Sequence, residues 1–175
     1  MRPIRIVPLA GAQPRLVSSV SRALAREFRT KATAADPHVD VAFAYHPERN
    51  QYHSTMIVEH LARVARTKGS EITIGVADVD LFIPILTFVF GEAELGGNIA
   101  VVSYHRLHQE YYGLARDEQV LEERLVKEAV HEVGHTAGLT HCDDYECVMA
   151  PSHAVEWLDL KGGALCDACR HRAGI

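Results

Sequence analysis

Apolar positions along the chain switch between two periods. Ile4 to Leu9 alternates and is β-branched, which predicts a first strand. Beyond Gly11 and Pro14, apolar residues fall at Val17, Val20, Leu24 and Phe28, and that spacing predicts a helix. Asp36-Pro37 breaks the pattern, and Val39 to Tyr45 reads as a second strand, followed by a loop at Pro47-Glu48-Arg49-Asn50. Ile57, Leu61 and Val64 mark one face of a second helix from Ser54 to Arg66, which Gly69-Ser70 ends. Glu71 to Ala77 reads as a third strand. Ile85 to Glu92 and Asn98 to Ser103 read as a hairpin turning at Gly96-Gly97.

An irregular connector, Tyr104 to Arg116, leads into a long helix from Asp117 to Ala137. Its apolar face is Leu121, Leu125, Val126, Val130, Val133 and Ala137. Asp117, Glu118, Glu122 and Glu123 sit in its first turns, where the helix dipole favours acid. The order β-α-β-α-β-β-β-α predicts an α/β (α+β) fold with a mostly parallel, twisted sheet of about five strands. Residues 140–175 lose periodicity and gain Cys and Gly, so this small lobe is expected to need metal to hold it.

A length of 175 residues fits one domain with a core that needs no disulfides. The net charge of −5 argues against nucleic acid and anionic membrane as partners. The apolar stretch from Leu81 to Phe90 is broken by Pro84 and Thr87 and is too short to span a bilayer. Met1-Arg2-Pro3 runs straight into the first strand without an apolar leader segment, so a cytoplasmic protein is expected. All four cysteines lie in the last quarter of the chain. In a reducing compartment that clustering points to metal rather than disulfides.

The chemistry concentrates in His131-Glu132-Val133-Gly134-His135-Thr136-Ala137-Gly138-Leu139-Thr140-His141. On a helix His131 and His135 stand about 40° apart, so both imidazoles can reach one ion. Gly138 can take the left-handed cap that ends the helix and swings His141 back as a third ligand. Three neutral nitrogens leave a position open for water, as in catalytic zinc. Glu132, about 100° from His131, stands beside the ion rather than on it. It is placed to take a proton from water and deliver it to a leaving amine. Surface histidines on an amphipathic helix, or a noncatalytic zinc site, are the competing readings; a nonligating carboxylate in that place argues against the second. Cys142-x4-Cys147 and Cys166-x2-Cys169 can close a structural zinc site of four thiolates, with an iron–sulfur cluster as competitor.

Together, His131-Glu132-x-x-His135-x-x-Gly138-x-x-His141-Cys142-x4-Cys147-x-Met149 and Cys166-x-x-Cys169 resemble the archaemetzincins. Arg49-Asn50-Gln51-Tyr52 and Val101 to Leu107 also look like family segments. The resemblance implies a metzincin-like zinc metallopeptidase with one catalytic and one structural zinc. It makes His131, His135 and His141 the catalytic ligands, Glu132 the acid/base, Cys142, Cys147, Cys166 and Cys169 the structural ligands, and Met149 the Met-turn residue. It also implies an upper subdomain, 1–141, and a small lower one, 142–175, with a cleft between them. An antiparallel edge strand, here Ile85 to Glu92, would border that cleft and pair with an extended peptide. His53, His60, His105, His108, His153 and His171 are expected to be bystanders, and Asp78 and Asp80 caps or loop anchors. The expected activity is peptide-bond hydrolysis by a monomer, as endopeptidase or aminopeptidase. The alternatives are a zinc hydrolase of small amides and a noncatalytic zinc-stabilised binding module.

Overall fold

The computed structural model describes residues 1–35, 38–65 and 71–175. The expected breaks at Asp36-Pro37 and Gly69-Ser70, and the helix end at Arg66, lie outside the described residues.

Five strands form the main sheet: β1 (Ile4–Pro8), β2 (Ala32–Ala34), β5 (Ile72–Ala77), β7 (Gly91–Ala93) and β8 (Ile99–Ser103), in the order β2-β1-β5-β8-β7. All neighbours are parallel except β7 and β8. A smaller sheet joins β3 (Tyr45–His46), β4 (Gln51–His53) and β6 (Leu81–Phe82).

Each central strand is apolar on both faces because helices cover both. Ile72, Ile74 and Val76 pack with Ile4, Ile6, Ala100 and Val102 under α1 (Pro14–Glu27) and α3 (Glu118–Thr136). Val7, Leu9, Ala77, Ile99 and Val101 point the other way, against Ile57 and Leu61 of α2 (Ser54–Ala65). Each such fully buried Leu, Ile or Val stabilises the fold by about 1.5–3 kcal/mol relative to exposure.

α3 begins where its sequence places it. Asp117 Oδ1 accepts from the amides of Gln119 and Val120 at 2.9 and 3.0 Å, a side-chain cap that contributes about 1 kcal/mol. It ends at Ala137, where Gly138 turns left-handed with φ +85°, and Leu139 N–H returns to Gly134 O at 3.1 Å.

Two expectations need correction. No strand runs from Val39 to Tyr45. Val39 only bridges to Leu9, Ala42–Ala44 is a 3-10 turn, and just Tyr45–His46 pairs. In that stretch the buried residues are Val41 and Ala44, three apart, while Phe43 and Tyr45 face out; this is a turn's spacing, and Asp40 Oδ1 caps it. The sheet edge beside β1 is taken by β2, whose Ala-Thr-Ala carries no hydrophobic signal.

The expected strand from Ile85 to Glu92 is paired only from Val89 onward, where Val89 bridges to Leu81 of β6. Gly91–Ala93 joins β8, whereas Ile85 is 86% exposed and Leu86 N–H turns back to Ile83 O after Pro84. The turn at Gly96-Gly97 is as expected, with φ +68° at Gly96. Finally, residues 140–175 hold two short helices, α4 (Val155–Leu160) and α5 (Asp167–Ala173), that no periodicity announced. Among the described residues no helix is long and apolar enough to cross a membrane.

Candidate active site

The two histidines of α3 are fixed through their Nδ1 atoms. His131 Nδ1 lies 2.9 Å from Val148 O, and His135 Nδ1 lies 2.7 Å from Leu139 O. A carbonyl can only accept, so each Nδ1 carries the proton and each Nε2 a lone pair. Those two Nε2 atoms stand 3.1 Å apart. Two lone pairs at that distance repel unless a cation lies between them. Zinc–nitrogen bonds of about 2.0–2.1 Å in a tetrahedron set a nitrogen–nitrogen edge of about 3.3 Å, so the spacing suits that ion.

The turn at Gly138 brings His141 to the same point, and one nitrogen from each of His131, His135 and His141 lies within 4.8 Å of the others. His131 is buried, His135 half-buried and His141 exposed, so the set is open on one side. Burial holds the His131 imidazole well below its ordinary range, with the Lys161 charge adding to it. Burial also lowers His135 and His141. All three are therefore held in the neutral form that a metal needs.

Glu132 points from α3 toward β7. A Cβ placed on Gly91 would stand 2.7 Å from Glu132 Cγ and Oε1, so only glycine leaves room for this carboxylate. Burial pushes the Glu132 carboxyl well above the usual range, and the neighbouring Glu128 charge pushes the same way.

Met149 is fully buried under α3, and its Sδ occupies the space that a side chain at Gly134 would need. The turn around it continues into Pro151, Ser152 and His153, which form one wall of a cleft of about 600 Å³. Residues 86–93 form the opposite wall, with His131, Glu132, His135 and His141 between. On either side of β7, Phe90 O accepts from Ser103 N–H and Glu94 N–H donates to Ile99 O of β8. The alternation of an antiparallel pair then turns the backbone groups of Gly91 and Ala93 outward.

Four sulfurs form the second cluster. The Sγ atoms of Cys142, Cys147, Cys166 and Cys169 lie within 4.8 Å of one another, and Cys142 and Cys166 are 3.9 Å apart. A disulfide needs about 2.05 Å, whereas zinc–sulfur bonds of about 2.3 Å give a tetrahedral edge of about 3.8 Å. Burial pushes the Cys169 thiol up to about 12 and raises Cys147 as well, a cost that a bound cation would offset. Buried Glu27 of α1 accepts from Leu165 N–H and Arg170, tying the CxxC segment to the main core.

Sequence reasoning overlooked several residues that shape this site. Asp80, assigned only as a cap or anchor, accepts a bidentate pair from Arg106 at 2.6 and 2.8 Å and a third bond from Gln51. Arg49 and Gln51 hold the carbonyls of Leu86 and Thr87, and Arg106 stacks 4.3 Å over Phe88. The two upstream segments thus converge on the cleft wall. Glu128 and Lys161, an ion pair at 3.2 Å, were also missed. Glu128 stands three residues before His131, on the same helix face, which is a signal that could have found it; Lys161 carried none. Among the bystander histidines, His153 lines the cleft, and among the described residues none of the six joins either group that could hold a metal.

Residues 41–173 match the family described as Peptidase family M54. The archaemetzincin of Thermococcus kodakarensis is 36% identical, covering 98% of this chain and 95% of that one. That of Methanocaldococcus jannaschii is 42% identical over 76% of this chain and 72% of its own. Among solved structures, the archaemetzincin from Archaeoglobus fulgidus, complexed with malonate, superposes with a TM-score of 0.84 at 36% identity, covering 97% of this chain and 99% of that one. A zinc-dependent peptidase from Methanocorpusculum labreanum superposes with a TM-score of 0.90 at 30% identity, with the same coverage of both chains.

Proposed function

Because this chain belongs to peptidase family M54, the archaemetzincins, and is a zinc metallopeptidase, we propose that His131, His135 and His141 hold its catalytic zinc and that Glu132 is the general base. The observation that carries this reading is the pair of Nε2 lone pairs 3.1 Å apart, each fixed by a carbonyl behind it. Zinc bound there supplies a Lewis acid that polarises a peptide carbonyl and acidifies a water.

The chain's own groups do the rest. An extended peptide lies along the outward backbone groups of Gly91 and Ala93, which pair with it as a neighbouring strand would. Glu132, beside Gly91, takes a proton from the attacking water. As the carbon–nitrogen bond breaks, Glu132 passes that proton to the departing amine. Its place supports this role, because Glu132 lies between Gly91 and the three imidazoles on the floor of the cleft.

Cys142, Cys147, Cys166 and Cys169 hold a second, structural zinc, and Met149 is the Met-turn residue. Residues 1–141 and 142–175 are upper and lower parts of one domain. Their shared core supports this: Met149, Leu158 and Cys169 pack in one cluster with Leu125 and Val133. The enzyme works as a monomer in the cytoplasm; four free cysteines gathered at one point support the second part of this reading.

A hydroxamate thermal-shift assay tests the three-histidine site. The ligand should raise the Tm of the native zinc-loaded chain and leave His131→Ala unaffected. An equal shift in both would count against the assignment.

A further inference from the structure

The turn around Met149 is held through three successive carbonyls. His131 Nδ1 donates to Val148 O at 2.9 Å, Cys142 N–H donates to Met149 O at 3.0 Å, and Lys161 Nζ donates to Ala150 O at 3.1 Å. The first two donors belong to residues of the metal clusters. The third does not. Lys161 follows α4, its side chain is 2% exposed, and its anionic partner is Glu128 at 3.2 Å, itself 5% exposed.

Stability alone is a poor account of this pair. Removing an ammonium and a carboxylate from water costs about as much as their attraction returns, and apolar replacements of similar volume are often neutral or better. Nor is the pair needed to attach α4. Arg124 bonds Asp159 at 2.7 and 2.6 Å, and Lys127 Nζ donates to Leu158 O at 2.7 Å, so α4 already has two ties to α3. What the pair adds is a link between the helix turn before His131 and the carbonyl two residues after Val148. Lys161 Nζ also packs 3.5 Å from His131 Nδ1, whose proton is already given to Val148 O.

We propose that Glu128 and Lys161 are positioning residues for peptide hydrolysis, fixing the Val148–Ala150 turn against α3 and so the angle at which His131 presents Nε2 to the cleft. The proposal rests on the reading of His131 as a zinc ligand. A turn that slips by a fraction of an ångström carries the Val148 carbonyl with it, and the His131 ring follows its hydrogen bond. Reacting groups must be held within about 0.5 Å to work, so a displacement too small to unfold the chain is enough to slow it.

The test uses the full zinc-loaded chain and four variants: Lys161→Met, the apolar double Glu128→Met/Lys161→Met, Arg124→Met and His131→Ala. For each, kcat and KM on a quenched fluorescent peptide are measured with Tm and with zinc affinity by chelator competition. The double variant should keep a Tm close to the parent, while kcat falls by about 10- to 100-fold at little-changed KM and zinc affinity at the histidine site weakens. Lys161→Met alone leaves Glu128 buried without its partner and should lose both Tm and kcat. Arg124→Met takes one tie from α4 and one from Leu107 O but leaves Lys161 bonded to Glu128 and Ala150 O, so it should lower Tm and change kcat by less than the double variant does. A double variant with parental kcat and zinc affinity overturns the proposal, as does one whose lost activity merely follows lost Tm. An active His131→Ala removes the ligand reading and this proposal together. An inactive His131→Ala beside a fully active double variant removes this proposal alone.

Discussion

Gly134 and Met149 meet directly: Met149 Sδ fills the volume that a Cβ at position 134 would take, so the backbone of the active-site helix rests on the Met149 side chain. Gly134 is one of the two residues between Glu132 and His135, and its lack of a side chain is a packing requirement rather than a helix preference, since glycine costs a helix about 1 kcal/mol against alanine. Gly134→Ala should overpack this contact, cost about 1–3 kcal/mol and lower kcat/KM as α3 lifts from the turn. Met149→Leu conserves volume and should cost less than about 1.5 kcal/mol while keeping most activity. Thermal melts and peptide turnover of the two variants check the contrast.

Gly91 makes the same kind of demand from the opposite side. Its missing side chain makes room for Glu132, and Val101 O closes the remaining space, 2.7 Å from where a Cβ would sit. Gly91→Ala should therefore push the carboxylate out of line. We expect a fall of about 10-fold or more in kcat, the scale of a disturbed general base, with zinc content unchanged. Full turnover by Gly91→Ala would show that Glu132 has room to spare.

The depth of Glu132 gives a pH signature in metal-stripped protein. Its folded pKa is raised, so its contribution to stability is fully present below the ordinary carboxyl value and is lost as pH rises through the folded pKa. Glu132→Gln has no such charge to bury. The variant should be more stable than the parent at about pH 8, and that advantage should fade as pH falls toward about 4.5. Paired melts across this range measure it; a constant difference would contradict the burial account.

Zinc affinity at the three histidines should have its own profile. Their folded pKa values are depressed, so protons compete with metal only below the ordinary histidine value of about 6.5. Affinity should stay level as pH drops from neutral to about 6.5 and fall only at lower pH. Chelator competition at a series of pH values reads this directly.

The two metal clusters should be coupled in one direction. Cys142 follows His141 and its N–H holds Met149 O, so the sulfur cluster sets both the third histidine and the turn. Cys166→Ser should lower Tm and weaken zinc at the histidines, whereas His131→Ala should lose one ion and keep the other. Metal analysis of both variants decides it. Normal histidine-site affinity in Cys166→Ser would mean that the lower lobe does not support His141.

The sequence made α3 legible because its stripe runs for five turns and its cap and Gly138 mark both ends. The clustering of the three histidines and of the four cysteines was legible because the spacing is local: four residues on a helix, six to the returning histidine, two pairs of cysteines. What escaped depends on residues far apart in the chain. Nothing near Lys161 announces Glu128, 33 residues away. Gly91 meets Glu132 only because β7 crosses α3. The run from Ile85 has a strand's composition, yet Arg49 and Gln51 take its carbonyls and Pro84 turns it, so it forms a wall rather than a ladder. Ala32–Ala34 forms a strand because β1 offers an edge, not because of its own side chains.

The central claim is that Glu132 does chemistry without holding metal. Its most direct test is zinc per chain and peptide turnover measured on the same preparation of Glu132→Ala. The account predicts the parent's zinc content with hydrolysis lowered by about 100-fold or more. Loss of one zinc would make Glu132 a ligand, and undiminished turnover would place the base elsewhere; either result contradicts the account.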